Sequence, residues 1–220
     1  MRFYAYTSIA MAAYLLGSVP TGFLLAKARG LDIRTVGSGN IGATNVFRHF
    51  GVAAGVLVLL ADALKGWLAV QVVAVRLVAK MLPADSLGGT SEVAAIIAAL
   101  FAVVGHNYTC WLHFKGGKGI ATSAGVLLAL VPLALVMGLG IWGVVFALTR
   151  YVSLASICAA FALPFAAWLT KQSPTMVLFT TAIAALAIYK HKGNINRLIH
   201  GTENRIGGKK APPTNAQSAL

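Results

Sequence analysis

Charge is scarce in this sequence. Only 10% of its 220 residues are Asp, Glu, Lys or Arg, where a soluble domain carries about 25%. Acidic groups are scarcer still, with 5 Asp and Glu against 18 Lys and Arg. So few scattered carboxylates do not make the acidic metal cluster that a phosphotransferase acting on a lipid phosphate would want. Cysteine is limited to Cys110 and Cys158. These two make no disulfide framework and read as small apolar residues. The 5 histidines contain no HExxH pair and no Cys/His cluster accompanies them, so no metal and no cofactor is expected. No small-residue cleavage site stands out after the first apolar stretch, which reads as a retained span rather than a signal peptide.

What the chain does have is apolar length. Hydrophobic residues make up 58% of it, and blocks stand out near 3–26, 50–75, 93–112, 120–149, 151–169 and 174–190. Runs of about 18 or more apolar residues are candidate membrane spans. The fourth block would be roughly 45 Å long as one helix, too long for a core near 30 Å. Pro132, Gly138, Gly140 and Gly143 lie inside it, and a break near 136–139 would divide it in two. Trp67, Trp111, Trp142 and Trp168 suit membrane interfaces or packing.

Charge placement selects between six and seven spans. Basic residues gather in three places: Lys27, Arg29, Arg34 and Arg48; Lys115 and Lys118; and the stretch from Lys190 to Lys210. The positive-inside rule puts all three in the cytoplasm. Seven spans satisfy it, with the N-terminus outside and the C-terminus cytoplasmic; six do not. Arg150 then falls inside, while Arg76, Lys80, Asp85 and Glu92 fall outside; Arg2 runs against the rule. The fold class expected is an all-α integral membrane protein of about seven transmembrane helices. The net charge of +13 is thereby explained by membrane orientation, and by anionic headgroups or a phosphorylated substrate, rather than by nucleic acid. The end, "KKAPPTNAQSAL", reads as a flexible tail.

Three polar segments share that cytoplasmic face. The first is "TVGSGNIGATNVFRHFG", residues 35–51. Gly37, Gly39 and Gly42 allow unusual backbone positions. Ser38, Asn40, Thr44 and Asn45 add neutral hydrogen-bonding groups, and Arg48 adds a planar fork suited to phosphate. The second is "HFKGGKGIAT", residues 113–122. It lacks the GxxxxGK[ST] spacing of a nucleotide loop. Gly116, Gly117 and Gly119 could still let backbone amides converge on an anion beside Lys115 and Lys118, at the start of a helix near Ile120. The third is "YKHKGNINRLIHGTENR", residues 189–205, with Asn194, Asn196, Arg197, His200 and Glu203. Two further features lie within the spans. Asp62 and Lys65 are three apart and can pair on one helix face, a costly placement that suggests support for a site. His106 and Asn107 sit about two turns before the glycine-lysine loop, where His106 is a candidate catalytic group.

These residues resemble the bacterial acyl-phosphate:glycerol-3-phosphate acyltransferase family (PlsY). "GSGNIGATNVFR", "GHNYTCWLHFKGGKGIAT" and "HKGNINRLIHGTE" are similar to its three ordered motifs, and "DALKG" at 62–66 to a further recurrent element. The likeness extends over residues 8–205. It implies a multi-pass protein of the bacterial cytoplasmic (inner) membrane, with 1–205 as a single acyltransferase domain, 206–220 as a tail, and the site facing the cytoplasm. It implies transfer of a fatty acyl group from a long-chain acyl phosphate to the 1-hydroxyl of glycerol 3-phosphate, giving lysophosphatidic acid and phosphate, the first acyl step of phospholipid synthesis. Membrane lipid and the acyl-phosphate-producing enzyme are the implied surroundings. By position, Ser38, Arg48, Lys118, His106 and Asn194 are the implied catalytic residues. Gly39, Asn40, Thr44, Asn45, Lys115, Gly116, Gly117, Gly119, Arg197 and Glu203 are implied to bind substrate or phosphate, with Asp62 and Lys65 in support. No Ser-His-Asp pattern supports an acyl-enzyme, and a phosphate oxygen of the substrate is the implied base, with His106 the protein alternative. Two positions depart from the family: Thr109 where proline is usual, and Lys192 where arginine is common. The rival reading is a membrane transporter of an organic phosphate, which should show related halves; none is visible.

Overall fold

A computed structural model of the chain describes residues 2–77 and 90–207. Lys80, Asp85 and the tail from 208 onward lie outside the described residues. Among the described residues all regular structure is helical: α1 (Arg2–Ser18), α2 (Thr21–Ala28), α3 (Ala43–Leu68), α4 (Thr90–Asn107), α5 (Ile120–Leu130), α6 (Pro132–Thr149), α7 (Val152–Leu169), α8 (Pro174–Lys190) and α9 (Lys192–Ile199). Short 3₁₀ turns at Ile33–Thr35 and Cys110–Leu112 join them. The α3 helix runs on through a π-helical stretch, Ala69–Ala74. Pro20 separates α1 from α2, because proline has no amide to continue the ladder.

Among the described residues, five helical segments are long and apolar enough to cross a membrane: Arg2–Ala28, Ala43–Leu77, Ser91–Leu112, Pro132–Thr149 and Val152–Leu169. Ile120–Leu130 and Pro174–Lys190 are shorter apolar helices. At 1.5 Å per residue α5 covers only about 16 Å, roughly half of a hydrocarbon core. The long fourth block is divided at Val131–Pro132, not near 136–139 as its glycines suggest. Val131 leaves the helical region, with φ −141° and ψ 61°, and Pro132 opens the next helix, where its fixed φ and missing amide cost nothing. Gly138, Gly140 and Gly143 stay helical.

Polar and charged groups are buried beside the apolar core, and many large apolar side chains face outward. Asn45, Asp62, Lys65, His106, Asn107, Asn194 and Glu203 are buried, while Phe3, Leu60, Leu133, Leu148, Phe161 and Leu178 are exposed. That apolar exterior suits a surround of lipid chains. Helices meet through small residues, since lipid supplies no hydrophobic drive between them and contact depends on close backbone approach. The α1–α4 crossing uses Gly17 against the Ala102 carbonyl and Gly105 against the Tyr14 carbonyl. The α3–α5 crossing uses Gly66 against the Thr122 carbonyl and Gly125 against the Ala63 carbonyl. Any Cβ at these four positions would collide with backbone.

Gly66→Val should therefore destabilise the protein by about 1–3 kcal/mol, the usual cost of overpacking. Gly140→Ala, with nothing within 4 Å of the added carbon, should unfold at or above the wild-type temperature. Thermal unfolding in detergent compares the two.

Candidate functional site

The first polar segment is organised by one buried amide. The Asn45 Nδ2 group is within hydrogen-bond reach of Ile33 O (3.1 Å), Val36 O (3.1 Å) and Asn40 O (3.0 Å), and Asn45 Oδ1 accepts from Ser38 N (3.2 Å). Its polar atoms are thus spent on the loop, not turned toward a ligand. Asn40 Oδ1 accepts from Gly42 N at 2.9 Å, which holds the chain at the cap of α3. Gly37 and Gly39 take φ of 59° and 66°, a region other residues resist. This scaffold leaves Ser38 and Gly39 exposed, and Thr44 half-buried. Gly51, with φ 84°, breaks α3 just after Arg48, so Arg48 sits on a short leading helix.

The glycine-lysine loop lies flat on the end of α4. Gly116 N donates to Asn107 O at 3.2 Å and Gly117 N to His106 O at 3.0 Å. A side chain at Gly117 would strike His106 Nε2. The sequence suggested that these amides converge on an anion; instead two of them are consumed by α4. The free donors are those of the α5 start. Gly119 takes φ 82° at its cap, and the first intrahelical bond there is Ser123 N to Gly119 O at 2.7 Å. The preceding amides of that turn have no partner within the helix.

Under the loop lies a buried polar network. Lys65 Nζ reaches Asp62 Oδ1 (2.8 Å), Val19 O (2.8 Å) and His106 Nδ1 (3.0 Å). These three acceptors match the three N–H bonds of an ammonium. Thr21 Oγ1 also donates to Asp62 Oδ1. Because Lys65 can only donate, the network assigns His106 Nδ1 as acceptor and places the proton of the neutral ring on Nε2. His106, a candidate catalytic base by sequence, is 5% exposed and keeps no free acceptor nitrogen. Thr109, in place of the family's proline, takes φ −64° and ψ 129°, a backbone that proline also adopts. Its hydroxyl adds a bond to Ser18 O at 2.6 Å, so the bend survives.

The third segment is the hub. Lys118 Nζ donates to Asn194 Oδ1 at 2.5 Å, and Asn194 Nδ2 donates to Glu203 Oε1 at 2.7 Å. Glu203 also accepts from Ser153 Oγ (2.9 Å) and Arg197 Nε (2.7 Å). Arg48 reaches the same place, donating to Asn204 O at 3.2 Å. The leading residues of all three segments thus converge. Lys115 is exposed and stands outside this network. Lys192 lies over the Tyr189 ring at 5.0 Å, so the lost arginine fork is not one that the hub needs.

A family model described as glycerol-3-phosphate acyltransferase matches residues 7–201. The chain belongs to the glycerol-3-phosphate acyltransferase family. Among its relatives of that name, the one from Geotalea daltonii is 47% identical over 194 residues, 88% of this chain and 94% of its own. That of Desulforamulus reducens is 45% identical over 203 residues, 92% of this chain and 96% of its own. A crystal structure of PlsY (YgiH), an integral membrane glycerol 3-phosphate acyltransferase in its glycerol 3-phosphate form, superposes with a TM-score of 0.81 at 39% identity. It covers 92% of this chain and 96% of its own. The lysophosphatidic acid form of PlsY gives 0.79 at 38% identity, covering 91% and 94%. The chain is a multi-pass membrane acyltransferase of this family.

The electrostatics of the hub follow from the convergence. Burial, with the charges of Arg197, Arg48 and Lys190, pulls Lys118 down to about 8, against the opposing pull of Glu203. Burial alone would raise Glu203, yet hydrogen bonds from Asn194, Arg197 and Ser153 hold it below the ordinary carboxylate value. Sequence reading overlooked His191 and Ser153. His191 is buried, and Nδ1 donates to Ala187 O at 2.7 Å, which leaves Nε2 an acceptor. Burial and the nearby Lys118 charge lower it to about 4, so it is neutral at pH 7. Its spacing of three from Asn194, one helix face, was the available signal. Ser153 comes from a different helix and carried none.

Glu203 is held below its ordinary value of 4.5, so its contribution to stability is full above that value and is lost as pH falls through the lowered one. Acid below about pH 4.5 should release residues 192–207 first. Limited proteolysis across a pH series should cut there before the spans. Glu203→Gln should show the same early cutting at neutral pH.

Proposed function

We propose that this chain transfers a fatty acyl group from acyl phosphate to the 1-hydroxyl of sn-glycerol 3-phosphate, giving 1-acylglycerol 3-phosphate and inorganic phosphate. One observation carries the reading. Arg48, Lys118 and Arg197 gather around Asn194 and Glu203, and an apolar cavity between α5, α6, α7 and α8 begins at Ile120, two residues from Lys118. A cationic centre beside an apolar slot fits a donor that is anionic at one end and aliphatic at the other. The glycerol 3-phosphate and lysophosphatidic acid forms of PlsY support that acceptor and that product.

Acyl phosphate is already activated, so the protein's task is positioning and charge. Lys118, Arg48 and Arg197 hold the two phosphates, with Ser38 and the α5 amides completing the shell. Asn194 aims Lys118, and Glu203 holds Asn194 and Arg197 in place. Gly39, Asn40, Thr44 and Asn45 shape the Ser38 loop, while Gly116, Gly117 and Gly119 let the second loop seat on α4. Exposed Lys115 adds to the field that draws in anions. His106, with Asp62 and Lys65, supports the loop from below. The acceptor hydroxyl oxygen bonds to the carbonyl carbon, the carbon–oxygen bond to phosphate breaks, and the hydroxyl proton leaves on the phosphate. A substrate phosphate oxygen is the first acceptor for that proton, and neutral His191 is the protein group best placed to assist. Neither metal nor cofactor is needed for this step.

The same reading gives seven spans, with α5 and α8 completing the count, the N-terminus outside and the three polar segments in the cytoplasm. The membrane is the bacterial inner membrane, residues 1–205 act as one unit, and the enzyme that makes acyl phosphate is the natural donor of substrate.

Purified protein in lipid nanodiscs should form lysophosphatidate from glycerol 3-phosphate and acyl phosphate; product from acyl-CoA alone would refute the donor. Lys118→Ala should lower kcat/KM by about 10²-fold or more. Lys118 is charged only below about 8, so kcat/KM for glycerol 3-phosphate should fall above that pH, by about tenfold per unit. Lys118→Arg should move this limb out of the accessible range, because arginine stays protonated.

A further inference from the structure

Four buried side-chain polar atoms have no hydrogen-bond partner among the described residues: Asn107 Nδ2, Asn107 Oδ1, Thr122 Oγ1 and Ser123 Oγ. Buried polar atoms without partners are rare in folded proteins and call for an explanation. Their surroundings differ. Asn107 is sealed against Gly119, and Thr122 against Gly66 at the α3–α5 crossing; both are 0% exposed. Ser123 is 7% exposed and lines the apolar cavity together with Ile120, Leu127 and Ala187. The other hydroxyl lining that cavity, Ser156, is occupied: it donates to Val152 O at 2.8 Å and accepts from Trp142 Nε1 at 3.2 Å. Ser123 Oγ is therefore a free donor in an otherwise apolar slot, unlike Thr149, Thr170 and Ser156, which bond back to the carbonyl four residues earlier.

Its depth is informative. Ser123 lies one turn below Gly119 on the same face of α5, about 6 Å along the helix axis. Lys118 holds the phosphate level just before that turn. In an acyl phosphate the carbonyl is joined to phosphorus through a single oxygen, so a donor with its phosphate at the start of α5 and its chain in the cavity carries its carbonyl within the first turn, toward which the Ser123 side chain tilts.

We infer that the Ser123 hydroxyl donates a hydrogen bond to the carbonyl oxygen of the acyl donor, at the junction between the cationic centre and the apolar slot. This rests on the proposed donor reading and adds a contact to it. When the acceptor oxygen attacks, the carbonyl electron pair moves onto the carbonyl oxygen and then returns as the bond to phosphate breaks. A donor fixed at that atom strengthens as charge develops. Ser123 neither forms a covalent bond nor takes up a proton.

Ser123→Ala removes one oxygen and no packing atom, so its thermal unfolding should match wild type. Its kcat should fall about tenfold to a hundredfold, below or at the loss seen for a single oxyanion donor, with KM for glycerol 3-phosphate unchanged within about twofold. Ser123→Thr, which restores a hydroxyl, should recover most of the rate. A direct readout uses an acyl phosphonate with a ¹³C-labelled carbonyl. Its bound carbonyl stretch should lie lower in wild type than in Ser123→Ala. An unchanged kcat, or a carbonyl frequency identical in the two proteins, would overturn the contact. If wild type turns over acyl-CoA and not acyl phosphate, the donor reading fails. The same kcat loss measured with acyl-CoA would still support the Ser123 contact, and an unchanged kcat with that donor would overturn it.

Discussion

The ammonium of Lys65 is the constraint on which the rest of the interior depends. A lysine charge this far along an apolar helix is costly unless every N–H is met. Here it is met from three elements: the Val19 carbonyl freed at the α1–α2 break, Asp62 on α3 and His106 on α4. The requirement explains features that otherwise look unrelated. Pro20 interrupts the first span, and that interruption exposes the carbonyl Lys65 needs. Gly66, the next residue, brings α3 against α5. His106, fixed by Lys65 on one side, presents its other edge to Gly117 on the loop above.

A second layer rests on that base. The loop seated on α4 delivers Lys118 to Asn194, and the chain beyond α9 folds back so that Glu203 can hold Asn194, Arg197 and Ser153 together. The lower network is neutral in sum once Asp62 and Lys65 pair. The upper one is not: Arg48, Lys118 and Arg197 share Glu203 as their carboxylate, with Lys190 nearby. Positive charge is therefore in surplus around that one carboxylate. Burial, together with the neighbouring positive charges, lowers the proton affinity of Lys118.

The apolar cavity completes the arrangement, beginning at Ile120, two residues along the chain from Lys118. Its walls mix small residues, Gly138, Ala159, Ala160 and Ala184 among them, with Leu, Ile and Trp142. Three chemical zones thus follow one another along α5: free amides and Lys118 at its start, the unpartnered Ser123 hydroxyl one turn in, and an aliphatic slot beyond.

Much of this was legible in the chain itself. Apolar runs separated by basic, glycine-rich segments imply a helical membrane protein, because lipid permits little else and charge must stay near water. The motif residues pointed to the acyltransferase family, and the spacing of Asp62 and Lys65 foretold their pairing. The sequence could not say that His106 accepts from Lys65, that Gly116 and Gly117 lend their amides to α4, or that Asn45 is consumed by its own loop. Those facts depend on which groups meet across long separations. Nor could it mark Ser153, whose partner Glu203 lies fifty residues away, or place the break at Val131 rather than among the glycines. Residue type and spacing settled the class of the fold and singled out the three polar segments that converge. Only the tertiary structure decided which polar atoms are spent on holding the protein together and which are left for a substrate, because that division is made by hydrogen bonds between distant parts of the chain.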